Sequence, residues 1–184
     1  MMTTTPYYRP SAPEAVNARA IKSFPRTDSV LLFERHGVII GVNTVYKSVA
    51  TGYPSNELIL HISIEVPDGK KVRLGEYSLE VYAPSGKSWS TDLTGHVWSS
   101  PGRTTEFPVY GEMIGRNKAW RWGTSQGYGN TTHAAFFFSA SIVENAELAS
   151  LEVKLPIFQI NGADIELPNV SFSLQSEDLW YSVP

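Results

Sequence analysis

Gly123-Thr124-Ser125-Gln126-Gly127 has the G-x-S-x-G spacing of a nucleophile elbow, in which a serine hydroxyl is exposed on a sharp turn between a strand and a helix. That chemistry needs a carboxylate and then a histidine further along the chain to take up the hydroxyl proton. Tyr128-Gly129-Asn130 is a poor helix start, His133 is the last histidine, and no Asp or Glu lies between Ser125 and His133. The order cannot be built, so the segment reads as a Gly-rich loop and no catalytic residue is assigned to it.

The four histidines, His36, His61, His96 and His133, never fall at the i,i+2 or i,i+4 spacing that puts two ligands on one face of a strand or helix. Cysteine is absent, so a metal site would need histidines and carboxylates to converge from separate strands. No metal or other cofactor is expected. Glycoside hydrolysis needs two carboxyl groups roughly 5 to 9 Å apart, whereas Glu106 and Glu112 would stand about 20 Å apart on an extended chain. They converge only if the chain reverses near Pro108 or Gly111, with Asp92 as another partner.

The chemistry best supplied is recognition. Trp89, Trp98, Trp120 and Trp122, four of the five tryptophans, fall in a Gly-rich stretch from Gly86 to Gly129 that lacks the alternation of its flanks. Indole and phenol rings offer flat apolar faces with a polar edge, which suits sugar rings or the surface of another protein. In an extended Trp120-Arg121-Trp122 both indoles share one face with Arg121 opposite. The candidate ligand-binding residues are therefore Trp98, Trp120, Arg121, Trp122 and Tyr128, with Arg116, Asn117, Lys118 and Gln126 as donors nearby. The competing use of these rings is to plug the ends of a β-core.

The elements that must position them are strands. Leu58 to Val66 places an apolar residue at every even position, against His61, Ser63 and Glu65, and period two means a strand with one wet face. Pro67-Asp68-Gly69 follows as a turn, and Tyr77, Leu79 and Val81 alternate with Glu76, Ser78 and Glu80, so the two runs are expected to pair antiparallel. Val30 to Phe33 and Val38 to Val42 are β-rich runs around a break at His36-Gly37. Ala134 to Ile142 makes a Phe-rich strand, and Leu151, Val153, Leu155 and Ile157 alternate after it. Asn161-Gly162 is the clearest hairpin turn, since a type I′ turn needs positive φ at both central residues. Val170, Phe172 and Leu174 form the last strand, and only Pro13 to Ile21 has helical composition. Short strands with turns between them predict an all-β, antiparallel β-sandwich, Ig-like or jelly-roll in character.

At 184 residues the chain is long enough for one well-buried domain. The Thr/Pro-rich start is expected to be a short disordered arm or tether over residues 1–26, with a single sandwich domain at 27–184. Fifteen basic against 18 acidic residues, with no like-charge run, removes the electrostatic footprint of a nucleic-acid partner. No apolar run approaches the roughly 18 residues of a membrane span. The doubled methionine reads as an initiator added to a truncated chain, which with the tether implies a periplasmic or bacterial cell-envelope address; a native start at Met1 implies the cytoplasm. The expected role is a non-catalytic binding or assembly module of a cell envelope whose partner is another protein or a glycan. The alternative is a small glycan-binding or glycan-hydrolysing protein that uses residues 86–132.

Overall fold

The computed structural model describes residues 2–19, 29–43, 45–47, 57–99, 103–107, 111–115, 121–122, 125–126, 133–144 and 149–180. The described chain is built of strands: β1 (Met2–Ser11), β2 (Val16–Arg19), β3 (Ser29–Arg35), β4 (Val38–Asn43), β5 (Val45–Lys47), β6 (Glu57–Pro67), β7 (Lys71–Leu74), β8 (Ser78–Tyr82), β9 (Ser88–Asp92) and β10 (Thr94–Ser99). They are followed by β11 (Arg103–Phe107), β12 (Met113–Ile114), β13 (Arg121–Trp122), β14 (Ser125–Gln126), β15 (His133–Glu144), β16 (Ser150–Lys154), β17 (Phe158–Ile160), β18 (Ala163–Ile165) and β19 (Val170–Trp180). There is no helix among the described residues, and the three sheets are antiparallel, which is consistent with a β-sandwich.

The largest sheet has 13 strands, in the order β11-β10-β15-β6-β5-β1-β19-β16-β8-β9, with β4, β3 and β2 attached in turn beside β6. The period-two pattern decides which face is covered. Leu60, Ile62, Ile64 and Val66 of β6 are buried, while His61 and Glu65 between them are exposed. Phe33, Ile40 and Phe138 come from strands near β6; Tyr8, Val81, Val153 and Phe172 come from the other end of the sheet, and all belong to one buried cluster. The sheet must therefore fold over so that its two halves face each other, and each large side chain buried between them contributes roughly 1.5–3 kcal/mol.

A four-stranded sheet, β12-β7-β17-β18, adds Met113, Val72, Leu74, Phe158 and Ile160 to the same core. Asn161 (φ 49°) and Gly162 (φ 85°) form the type I′ turn expected between β17 and β18. His36 (φ 52°) and Gly37 (φ 83°) do the same between β3 and β4, so the break between those two runs is a tight hairpin.

Three expectations are corrected. The segment read as a disordered arm is a strand: β1 pairs with β19 from Met2↔Trp180 to Ser11↔Ser171, and Tyr8 is only 3% exposed. Pro6 and Pro10 fit there because β5 reaches β1 only at Tyr7 and Tyr8, so most of β1 has one neighbour and lacks few bonds through its prolines. β1 lies on β19 and β2 on β3, while residue 26, the boundary expected from sequence, lies outside the described residues.

The segment of helical composition contains β2 instead. Glu14 has φ 62°, which breaks a helix at its start, and its carboxylate meets Arg35 Nη2 at 2.6 Å, fixing the turn against the end of β3. Finally, the runs at 58–66 and 77–81 do not pair. β6 lies between β15 on one side and β4 and β5 on the other, while β8 lies between β16 and β9.

Candidate functional site

The strand that carries Trp98 is positioned by a change of neighbour. β9 pairs with β8 up to Asp92↔Ser78; then the Leu93 N–H donates to the Tyr77 carbonyl at 2.9 Å and the Leu93 side chain enters the core. From Thr94 onward the chain runs as β10 beside β15, with Thr94↔Ser139, Gly95↔Phe138 and His96↔Phe137. A strand that changes partner at a buried residue makes a corner of a sandwich. Across that corner Thr91 Oγ1 donates to the Ser141 carbonyl at 2.6 Å, where the register of β15 with β6 shifts between Ser141 and Val143.

Beyond His96, β10 stays paired with β11 through Val97↔Thr105, Trp98↔Thr104 and Ser99↔Arg103, although its pairing with β15 has ended. Trp98 thus occupies a two-stranded ribbon that continues past the sheet. β13 and β14 form a second small ribbon, with Arg121↔Gln126 and Trp122↔Ser125, and β14 packs against β10. The β13–β14 hairpin that carries Arg121 and Trp122 therefore touches, through β14, the strand that carries Trp98. Trp120 and Tyr128, with the donors Arg116, Asn117 and Lys118, lie outside the described residues. Trp89, on β9, is half-buried against the core.

Within the G-x-S-x-G segment only Ser125 and Gln126 are described, and Ser125 stands opposite Trp122 in a paired strand rather than on the turn that a nucleophile elbow would give it. Asp92 is exposed on β9, whereas Glu112 precedes β12 in the smaller sheet and has Lys71 Nζ 3.9 Å from its Oε1. Glu106, on β11, stands opposite His96. Among the described residues no group of three His, Asp or Glu side chains could hold a metal ion.

Sequence reasoning did not single out a polar group on the outer face of β8 and β16. Tyr82 donates its hydroxyl to Glu80 and faces Glu152, whose Oε1 accepts from Asn169 Nδ2 at 2.6 Å. The hydrogen bond to Glu80 raises the Tyr82 pKa above the ordinary phenol value, aided by desolvation and by the charges of Glu80 and Glu152. The signal for this group was the outward alternation of Ser78, Glu80 and Tyr82.

Neither a protein-family model, nor a curated protein, nor a solved structure matches this chain. Among the described residues no helix is long and apolar enough to cross a membrane.

Proposed function

We propose that this protein is a non-catalytic binding module whose contact surface is the region where β10 meets the β13–β14 hairpin. The observation that carries the reading is the contact of β14 with β10, which sets the hairpin of Arg121 and Trp122 against the strand that carries Trp98. Two tryptophans and an arginine held on short ribbons suit a ligand with flat apolar patches and hydroxyl edges, so a glycan is the ligand class of choice. The expected envelope address drew on a tether, and β1 occupies that stretch as a strand, so the proposal is confined to binding.

The test is tryptophan fluorescence with iodide quenching, followed by titration with a panel of glycans and cell-wall fragments. Quenching that one glycan protects against, and that Trp98→Ala and Trp122→Ala abolish without lowering the melting temperature, supports the proposal. Blue-shifted emission that neither iodide nor any glycan perturbs, or a sharp loss of stability in both variants, removes it.

One observation favours assembly with another protein as a second reading. β2 pairs only with β3 among the described residues, and Val16 on it is 67% exposed beside the half-buried Leu32. A short open edge with an apolar side chain can accept a strand from a partner. Concentration-dependent association that Val16→Lys eliminates would favour this reading over the first.

A further inference from the structure

Asn161-Gly162 is the only Asn-Gly pair in the chain, and both residues are exposed. In an unfolded chain this dipeptide is prone to cyclise, because glycine leaves its own amide nitrogen open to approach. The Gly162 nitrogen attacks Asn161 Cγ, an N–Cγ bond forms, and the side-chain nitrogen leaves as ammonia with the glycine proton. Solvent water then opens the resulting cyclic imide at either carbonyl, giving aspartate or, with one extra backbone carbon, isoaspartate.

The fold opposes the first step with two hydrogen bonds. The Lys71 N–H donates to Asn161 Oδ1 at 2.9 Å, and the Asn161 N–H donates back to the Lys71 carbonyl at 2.9 Å. Attack requires the side chain to swing its Cγ onto the Gly162 nitrogen, and Oδ1 cannot stay on Lys71 through that rotation. The backbone is fixed as well: φ of 49° and 85° in the two-residue turn, continued by Gln159↔Asp164 with a 2.8 Å side-chain bond from Gln159 Nε2 to Asp164 Oδ1.

The geometry points to Asn161 as a deamidation site gated by the pairing of β7 with the β17–β18 hairpin. While Asn161 grips Lys71 the site is silent; when the hairpin lifts from β7 the imide closes. The products differ in what they allow afterwards. Aspartate keeps an oxygen that can accept from the Lys71 N–H, so the hairpin can redock. Isoaspartate lengthens the backbone inside a turn that admits only two residues, so the hairpin cannot regain its register. Part of each opening is thereby recorded irreversibly in the covalent chain.

The experiment follows residue 161 in the full chain by peptide mass spectrometry, which separates asparagine, aspartate and isoaspartate, across urea concentrations below the unfolding midpoint. Hydrogen exchange at the Asn161 N–H is read in the same samples. In the absence of urea, deamidation is expected to be roughly ten- to thirtyfold slower than in a peptide spanning residues 158–165, the suppression that two net hydrogen bonds give. The rate should rise with urea in parallel with exchange at Asn161. Lys71→Pro, which deletes the donor to Oδ1, should remove most of the protection; if that variant does not fold, the urea series on the unmodified chain decides. Native deamidation as fast as in the peptide, or a rate unmoved by urea while Asn161 exchange accelerates, would overturn the proposal.

Discussion

Gly115 lies so close to the Pro67 carbonyl that a Cβ added to it would stand 1.8 Å from the Pro67 oxygen and 2.7 Å from that of Val66. The same approach lets the Gly115 N–H donate to the Lys70 carbonyl at 3.0 Å, which fixes the end of β12 against the turn leaving β6. Backbone atoms cannot rotate out of the way as a side chain can. We expect Gly115→Ala to cost about 3 kcal/mol or more, at the upper end of overpacking changes. Gly69, in the same turn, has open space where a Cβ would go but φ 78°, so Gly69→Ala should cost only the 1–2 kcal/mol or so of left-handed strain. Urea unfolding of the two variants checks the contrast; equal losses would show that crowding at Gly115 is relieved by backbone movement.

Tyr8 separates a tether from a strand. A tether can be cut without thermodynamic effect, whereas a 3% exposed tyrosine in the core cannot. Tyr8→Ala is expected to cost about 3–5 kcal/mol, the range for deleting a large buried ring. Removal of residues 1–11 should also leave the outer edge of β19 bare and promote association. A truncated chain with the stability and monomeric behaviour of the full one would return β1 to the status of an arm.

What was legible from sequence and what was not divide along the distance over which each signal acts. Asn161-Gly162 specifies its own turn through positive φ at adjacent residues, so its hairpin could be read directly. The buried face of β6 was equally plain, since Leu60, Ile62, Ile64 and Val66 set it by alternation. The partner of β6 was not, because period two specifies a face and leaves the neighbour open: the run 77–81 is near in sequence and has the right pattern, but β15, some 70 residues on, takes the position (Phe136↔Ile64). Thr and Pro at the start suggested an arm because composition does not register that Tyr8 and Pro10 face inward while Arg9 faces out. In the candidate site, the strand of Trp98 meets the β13–β14 hairpin after a corner at Leu93, a non-local event with no signature in the spacing of the tryptophans.

Tyr82 should report the charge of Glu80 through its ionisation. The raised pKa means that the folded chain favours the neutral phenol over the phenolate. The stabilising contribution is complete below the unfolded value of about 10, and it is lost as the pH climbs through the higher folded value. Because Tyr82 is on the surface, solvent and salt screen the effect, and it should weaken at high ionic strength. Ultraviolet titration of phenolate formation in the native chain, in Glu80→Gln and in Tyr82→Phe checks it: the step that Tyr82→Phe deletes should fall toward the ordinary phenol value in Glu80→Gln. An unchanged titration curve would mean that the carboxylate does not act on this phenol.

Thr91 holds the corner on which the proposed contact surface depends. Its hydroxyl bonds the Ser141 carbonyl at 2.6 Å where β15 shifts register against β6, so the bond joins β9 to β15, two strands that share no backbone pairing among the described residues. Thr91→Val keeps the shape and removes the donor, and should cost about 1 kcal/mol; Thr91→Ser should restore most of it. The more telling readout is local. If β10 is aimed by this corner, hydrogen exchange at Thr94–His96 should accelerate in Thr91→Val while β17 and β18 stay protected. A uniform change across both sheets would assign Thr91 to general packing and leave the aim of β10 to Leu93 alone.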